Sequence, residues 1–299
     1  MTIAGMMAPM RIAIELSALL QQAFAHRPPP RVRALHLPPV PWTGSKDGEF
    51  GALELESGAL GLSYLLLDDT LASIAAAGAA VHGADPLALL RWWADAGDDA
   101  ASPARAALGF AAVNALTREI FDRAGFVPPA ATDSIGGLDP QPGESIGMVG
   151  YFPPLVKQVL ARGARLTVLE LRADLAGARD GFTVTLDPRD LAGCTQVLST
   201  STVLLNHTLE RVREACRDAR RFVLVGPGAG CLPDPLFAAG VTALGGTWIR
   251  DRGAFVQALA AGAPWSGAAF KFLLQAQDWP GSDRTGVCAP SIASGGPNP

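Results

Sequence analysis

The chain has 299 residues, 49% hydrophobic and 17% charged, and its 24 basic side chains against 28 acidic ones give a net charge of −4. That balance describes a folded globular chain and not a disordered one, and without a basic cluster it argues against nucleic acid as a partner. The longest apolar runs, such as LTVLEL at 166–171, are strand-sized and far short of the roughly 20 residues a membrane helix needs.

The opening MTIAGMMAPMRIAIEL has no charged n-region, clean apolar run or cleavage site, so it reads as a helix lead-in and not as a signal peptide. Residues 12–24 place Ile12, Leu16, Leu19, Leu20 and Phe24 on one helical face, and the prolines of HRPPPR stop that helix. RVRALHL is bounded by prolines and predicts a strand, and FGALELESGALGLSYLLL predicts one or two more with a glycine turn. Two helices follow, each with a capping side chain before a proline: Asp85 before Pro86, and Ser102 before Pro103. The second runs through ARAALGFAAVNALTREIFDRAG to a cap at Gly125 and is apolar enough to be mostly buried. Strands followed by helices make residues 1–126 an α+β unit.

Residues 127–145, VPPAATDSIGGLDPQPGES, have no periodicity and read as a linker. From 146 to 280 the texture changes. SIGMVG, RLTVLEL, TQVLSTS, RFVLVG and TALGGTWI are continuous apolar runs, the pattern of strands buried on both faces of a parallel sheet. Helices are expected at 155–162, at 208–219 with Leu209, Val212, Cys216 and Ala219 inward, and at 251–261. The fold class is therefore α/β, an α+β unit followed by a Rossmann-like unit with a mainly parallel sheet. The tail 281–299 is expected to be mobile.

In such a sheet ligands bind beyond the carboxyl ends of the strands, where the strand order reverses. Three segments leave a strand for that edge: VGYFPP at 149–154, STSTVLLNHT at 199–208 and VGPGAGCLPDPLF at 225–237. The first keeps only Gly147 and Gly150 of a dinucleotide loop, and Pro153 and Pro154 remove two N–H donors from the helix start where an anion would dock. It predicts a rigid aromatic lip, Tyr151 and Phe152, facing the N-terminal unit. Glu170 ends the second strand 23 residues after Gly147, about where a dinucleotide fold keeps its ribose-binding acid. The second segment carries Thr200, Ser201, Thr202, Asn206 and Thr208, more hydrogen-bonding side chains than the helix cap assigned to Asn206 requires. Cys231 and Asp234 of the third segment, His207 of the second and Glu170 offer a mixed N/S/O metal set, set against the ordinary role of a lone cysteine as a small buried hydrophobe. No G-x-S-x-G elbow is present, and His26, His36 and His82 read as surface or turn residues. The cysteines Cys194, Cys216, Cys231 and Cys288 make no CxxC pair and suit a reducing cytoplasm.

PWTG (41–44), LGFAAVNAL (108–116), GMVGYFPPLV (147–156), TSTVLLNHTLE (200–210) and GPGAGCLPDPLFAAGV (226–241) together resemble the bacterial and archaeal heavy-metal chelation family. The resemblance implies an enolase N-terminal-like domain joined to a Rossmann-like domain, with the active site between them. It places Gly150, Tyr151, Phe152 and Pro153 in the first loop of that site, Thr200, Thr202, Asn206 and Thr208 in the second, and Gly226 and Pro227 in the third. Asn114 would reach the cleft from the N-terminal domain. Two positions depart from the family pattern: His207 stands where a small residue, often glycine, is usual, and Cys231 where Ser or a Leu-like residue is usual.

Three readings stand open. One is a cytoplasmic binder of a metal ion, such as a divalent transition metal, or of a small metal chelate, serving metal homeostasis. The second is an enzyme using a nucleotide-type cofactor, NAD(P), S-adenosylmethionine or ATP. The third is a scaffold whose cleft is a packing seam. The expected partners are a small-molecule or metal ligand, with no nucleic acid or membrane, and a homodimer stays open.

Overall fold

The computed structural model describes residues 11–40, 49–65, 71–95, 103–133 and 135–282. The PWTG motif, Ser102, Cys288 and the tail from 283 lie outside the described residues. The fold is mixed α/β, built on a three-stranded antiparallel sheet and an eight-stranded, mainly parallel one.

The smaller sheet is β1 (Val32–His36), β2 (Phe50–Leu55) and β3 (Leu60–Tyr64) in that order. Helix α1 (Arg11–Ala23) buries Ile12, Leu16 and Leu20, as its 3.6-residue pattern requires. Helix α2 (Leu71–Val81) is an addition to the sequence reading. Its alanines give no contrast between faces, so no apolar stripe announces it, although Leu71, Ile74 and Val81 are buried. At α3 (Pro86–Ala94) the Asp85 carboxylate accepts the Leu87 N–H at 3.0 Å, with proline at the first helical position as expected. Helix α4 (Pro103–Arg123) is buried without a break from Ala107 to Thr117. It lies so close to β3 that a Cβ on Gly61 would sit 2.1 Å from the Ala111 carbonyl oxygen. Gly125 ends the segment at φ 64°.

The larger sheet runs β11-β10-β9-β8-β4-β5-β7-β6. Its strands are β4 (Ser145–Val149), β5 (Arg165–Leu169), β6 (Gly177–Arg179), β7 (Phe182–Thr185), β8 (Gln196–Thr200), β9 (Arg221–Val225), β10 (Ala243–Ile249) and β11 (Ala269–Gln275). The six inner strands are parallel and the two edges antiparallel. The connecting helices are α5 (Pro153–Leu160), α6 (Thr202–Leu205), α7 (Leu209–Ala215), α8 (Asp234–Ala238) and α9 (Arg252–Ala260). The five apolar runs of the sequence are the parallel strands β4, β5, β8, β9 and β10. The short β6–β7 hairpin, β11 and α6 are additions. Pro129, Ala130, Ile135 and Leu138, from the stretch read as a linker, lie against the sheet. The Leu273 N–H donates to the Pro129 carbonyl at 3.0 Å, and Ile135 and Leu138 are buried. Gly136, at φ 65°, leaves room for the Val223 side chain.

A single apolar cluster joins the two sheets, with Leu53 and Leu116 in contact continuity with Leu224 and Leu244. Polar contacts pin the same seam. The Trp93 indole N–H donates to the Leu204 carbonyl at 3.0 Å. Arg118 lies 3.8 Å above the Trp248 ring and donates to the Ile249 carbonyl. Glu54 on β2 is fully buried, and its carboxylate meets His36 Nε2 at 2.6 Å, Arg252 Nε of α9 at 2.6 Å and Arg33 Nε at 3.3 Å. His36 is therefore a half-buried partner of Glu54 and not the surface residue expected from the sequence. His82 does stand at the surface, where Nδ1 donates to the Arg33 carbonyl.

Candidate functional site

Strand order reverses at β4. Helix α5 carries the chain from β4 to β5 on one side, and the later strand β8 lies on the other. The carboxyl ends of β4 and β8 therefore diverge into the crevice where such sheets take ligands.

The β4 loop is held open by Gly150 at φ 89°, and a Cβ there would meet the Phe152 ring at 3.2 Å and Thr200 at 3.4 Å. Helix α5 begins at Pro153 with no side-chain cap, since Phe152 before it carries no side-chain acceptor. The aromatic lip is placed differently from expectation. Tyr151 stacks on Phe182 of β7, ring centroids 6.0 Å apart at 20°, and Phe152 packs with the apolar cluster of Ile146, Met148 and Val156. Both rings serve the large sheet because the β6–β7 hairpin supplies a surface the sequence reading lacked.

Glu170 follows β5, next to β4, and its carboxylate is used by the backbone. Oε2 accepts the Tyr151 N–H at 3.0 Å, and Oε1 accepts those of Leu171 at 2.7 Å and Arg172 at 3.4 Å. It fixes the β4 loop in place. Across the seam stands Tyr64, the last residue of β3, which sequence reasoning did not single out. Burial raises its pKa, and the charges of Glu49 and Glu170 add to that rise, so its hydroxyl stays protonated. Its place at a strand end beside an unassigned loop was the available signal.

In the β8 segment, Thr200 Oγ1 accepts the Thr202 N–H at 3.2 Å and donates to Thr202 Oγ1 at 3.0 Å. The Thr202 hydroxyl thus keeps its own proton to donate. Asn206 is not the N-cap of the following helix. It ends α6, its N–H reaching the Thr202 carbonyl, and its Oδ1 accepts from the N–H and hydroxyl of Thr208, the residue that starts α7. The intervening one-turn helix α6 accounts for the shift.

His207 is the one non-glycine described residue with positive φ, at 54°. A glycine would hold that conformation without strain, and the imidazole is kept there by stacking on Trp93, centroids 5.3 Å apart. Its Nε2 is shielded with no hydrogen-bond partner among the described residues. Burial lowers its pKa, against opposing contributions from a Trp93 backbone hydrogen bond and Glu210.

The third loop leaves β9 through Gly226 at φ 141°, where a Cβ would be 2.5 Å from Ser201 Oγ. Pro227 beside it is half-buried, and the Gly228 carbonyl accepts from Asn114 Nδ2 of α4 at 3.1 Å. The same nitrogen donates to the Leu62 carbonyl at 2.7 Å, leaving Asn114 Oδ1 buried and without a donor among the described residues. Asn114 therefore does join the N-terminal helix to the third loop. The metal set fares otherwise. Among the described residues no three of His, Cys, Asp and Glu come together as a group able to hold a metal ion. Glu170 serves the β4 loop, His207 stacks on Trp93, and the carboxylate of Asp234 accepts from the backbone N–H and hydroxyl of Ser282. Cys231 is 2% exposed, with its thiol pKa pushed by burial up to about 12.

The geometry defines an α/β protein in which the segments after β8 and β9 meet a helix and a strand of a second, smaller sheet. Residues 134–272 match the family model of DUF364, described as "Putative heavy-metal chelation". The crystal structure of a DUF364 protein of unknown function from Desulfitobacterium hafniense is similar, with 20% identity and a TM-score of 0.65, covering 90% of this chain and 100% of that one. Another of unknown function, from Pyrococcus horikoshii, has 18% identity and a TM-score of 0.60 with the same coverage. These two likenesses are of fold. No curated protein matches the sequence. No helix among the described residues is long and apolar enough to cross a membrane.

Proposed function

We propose that the chain binds a metal ion presented in a small chelate, at the crevice between the β4 and β8 loops and facing Tyr64 of the smaller sheet, in the service of metal homeostasis. The observation that carries the reading is the donor set. Thr200, Thr202, Asn206 and the Tyr64 hydroxyl are neutral oxygen and amide groups, which recognise the hydroxyls and carboxylates of a chelator. Gly150 and Gly226 let backbone approach such a guest closely. The family description adds the metal, and the chelator's own atoms hold it. The nucleotide-cofactor reading loses its anchor, since both oxygens of Glu170 are taken by backbone N–H groups and the β4 loop offers two prolines to a pyrophosphate.

Calorimetric titration with Ni²⁺, Co²⁺, Zn²⁺, Cu²⁺ and Fe³⁺, each free and as its citrate complex, tests this. The complex should bind more tightly than the free ion, and Thr202→Val should weaken it about two- to tenfold, the worth of one neutral hydrogen bond. Equal affinity for free and complexed metal, or no change in Thr202→Val, would overturn it.

A further inference from the structure

The opposite, amino edge of the large sheet carries a cavity of about 450 Å³, lined by Arg220, Arg221, Gly240, Thr242, Gln275 and Gln277 among others. No acidic residue is among its described lining residues. Arg220 has a counter-charge, its Nη2 lying 2.6 Å from Glu144 Oε1. Arg221, the first residue of β9, is half-buried and has no carboxylate within ion-pair distance among the described residues. Its Nε is shielded from solvent without a hydrogen-bond partner, and Nη2 has one long bond, 3.4 Å to Gln275 Oε1. The backbone makes room for this guanidinium at Gly137, φ 68°, where a Cβ would stand 2.8 Å from Nη2.

A half-buried cation without a counter-charge is stabilised by an anion placed beside it. The planar fork of arginine matches the two oxygens of a carboxylate or phosphate. Since Gln275 accepts through its oxygen, its amide N–H groups remain to donate to the same guest. We infer that this cavity is a second binding site, for a small molecule bearing an oxyanion group that pairs with Arg221.

The full chain titrated with inorganic phosphate and, separately, with succinate tests the inference by thermal shift and calorimetry. A saturable rise in Tm is expected. Response to phosphate alone assigns a phosphoryl group, and response to succinate alone assigns a carboxylate. Arg221→Gln should weaken the binding about ten- to a hundredfold, the range for charge-assisted hydrogen bonds, and leave the anion-free protein as stable or more so. Arg221→Lys, which keeps the charge and loses the fork, should fall between and serves if Arg221→Gln does not fold. Thr202→Val, at the other edge, should bind the anion unchanged, so the two sites fail independently. A rise that never saturates with either anion, or anion binding equal in wild type and Arg221→Gln, would overturn the inference. So would an Arg221→Gln protein that loses stability yet keeps the anion response, since that marks a structural arginine.

Discussion

Glu54 allows a ranking of mutants that distinguishes the energetics of buried charge. Its carboxylate has no solvent access, and three partners meet it, of which Arg252 and Arg33 are each 49% exposed. Arg252→Ala removes the 2.6 Å charge-assisted bond and leaves a buried carboxylate with only His36 and the more distant Arg33. Stranding a buried charge in this way costs about 3–5 kcal/mol. Glu54→Gln keeps the shape and removes the charge that is hard to bury, while both arginines can turn to water, so its cost should be nearer 1–3 kcal/mol. Urea unfolding curves of equal slope measure both. Arg252→Ala should therefore be the less stable protein. If Glu54→Gln proves equally or more damaging, desolvation of the carboxylate is not the dominant cost and the reasoning fails. The pH dependence has a definite sign. Burial pushes the Glu54 pKa up, and hydrogen bonds from Arg252 and His36 more than reverse it, so the folded value lies below 4.5. Its contribution is full above the ordinary carboxylate value and is lost as pH falls through the folded one. Glu54→Gln should lack that part of the acid limb.

Gly61→Ala should abolish folding. The added carbon would meet backbone atoms of Ala111 and Ala115 at 2.1 Å, and no side-chain rotation relieves a backbone clash; soluble expression with native near-ultraviolet dichroism would refute this. His207→Asn should change the pH response. The folded pKa of His207 is lowered by burial, so its stabilising share is present above the unfolded value near 6.5 and is lost as pH falls below it. The wild-type Tm should drop between pH 7.5 and 5.5 by more than that of His207→Asn, and equal drops would remove His207 as the cause.

The parallel sheet was legible because strands covered on both faces must be apolar at every position, which leaves unbroken runs such as RFVLV. Helix starts were legible where chemistry is local, as at Asp85–Pro86. Most of what escaped was short or featureless, as with the three-residue β6, the alanine-rich α2 and the single turn α6, although the seven-residue edge strand β11 escaped as well. The three edge segments were found in the sequence, and β4, β8 and β9 do bring them to one sheet edge. Their hydrogen bonds could not be found that way. Glu170 meets the Tyr151 N–H because β5 pairs with β4, and Tyr151 meets Phe182 because β7 pairs with β5. His36 meets Glu54 by a diagonal in the β1–β2 register, where Ala34 is the residue opposite Glu54. Four scattered metal-ligand residue types carried no information about whether their side chains would converge, and the strand order sends them to separate tasks.

The apolar cluster that runs unbroken from Leu20 to Leu274 has a consequence for recognition. A body welded in this way does not swing shut over a guest. Selectivity at either sheet edge must then reside in a ready-made contour, adjusted by side-chain torsions alone, and crystals grown with and without a guest should superpose along the whole backbone.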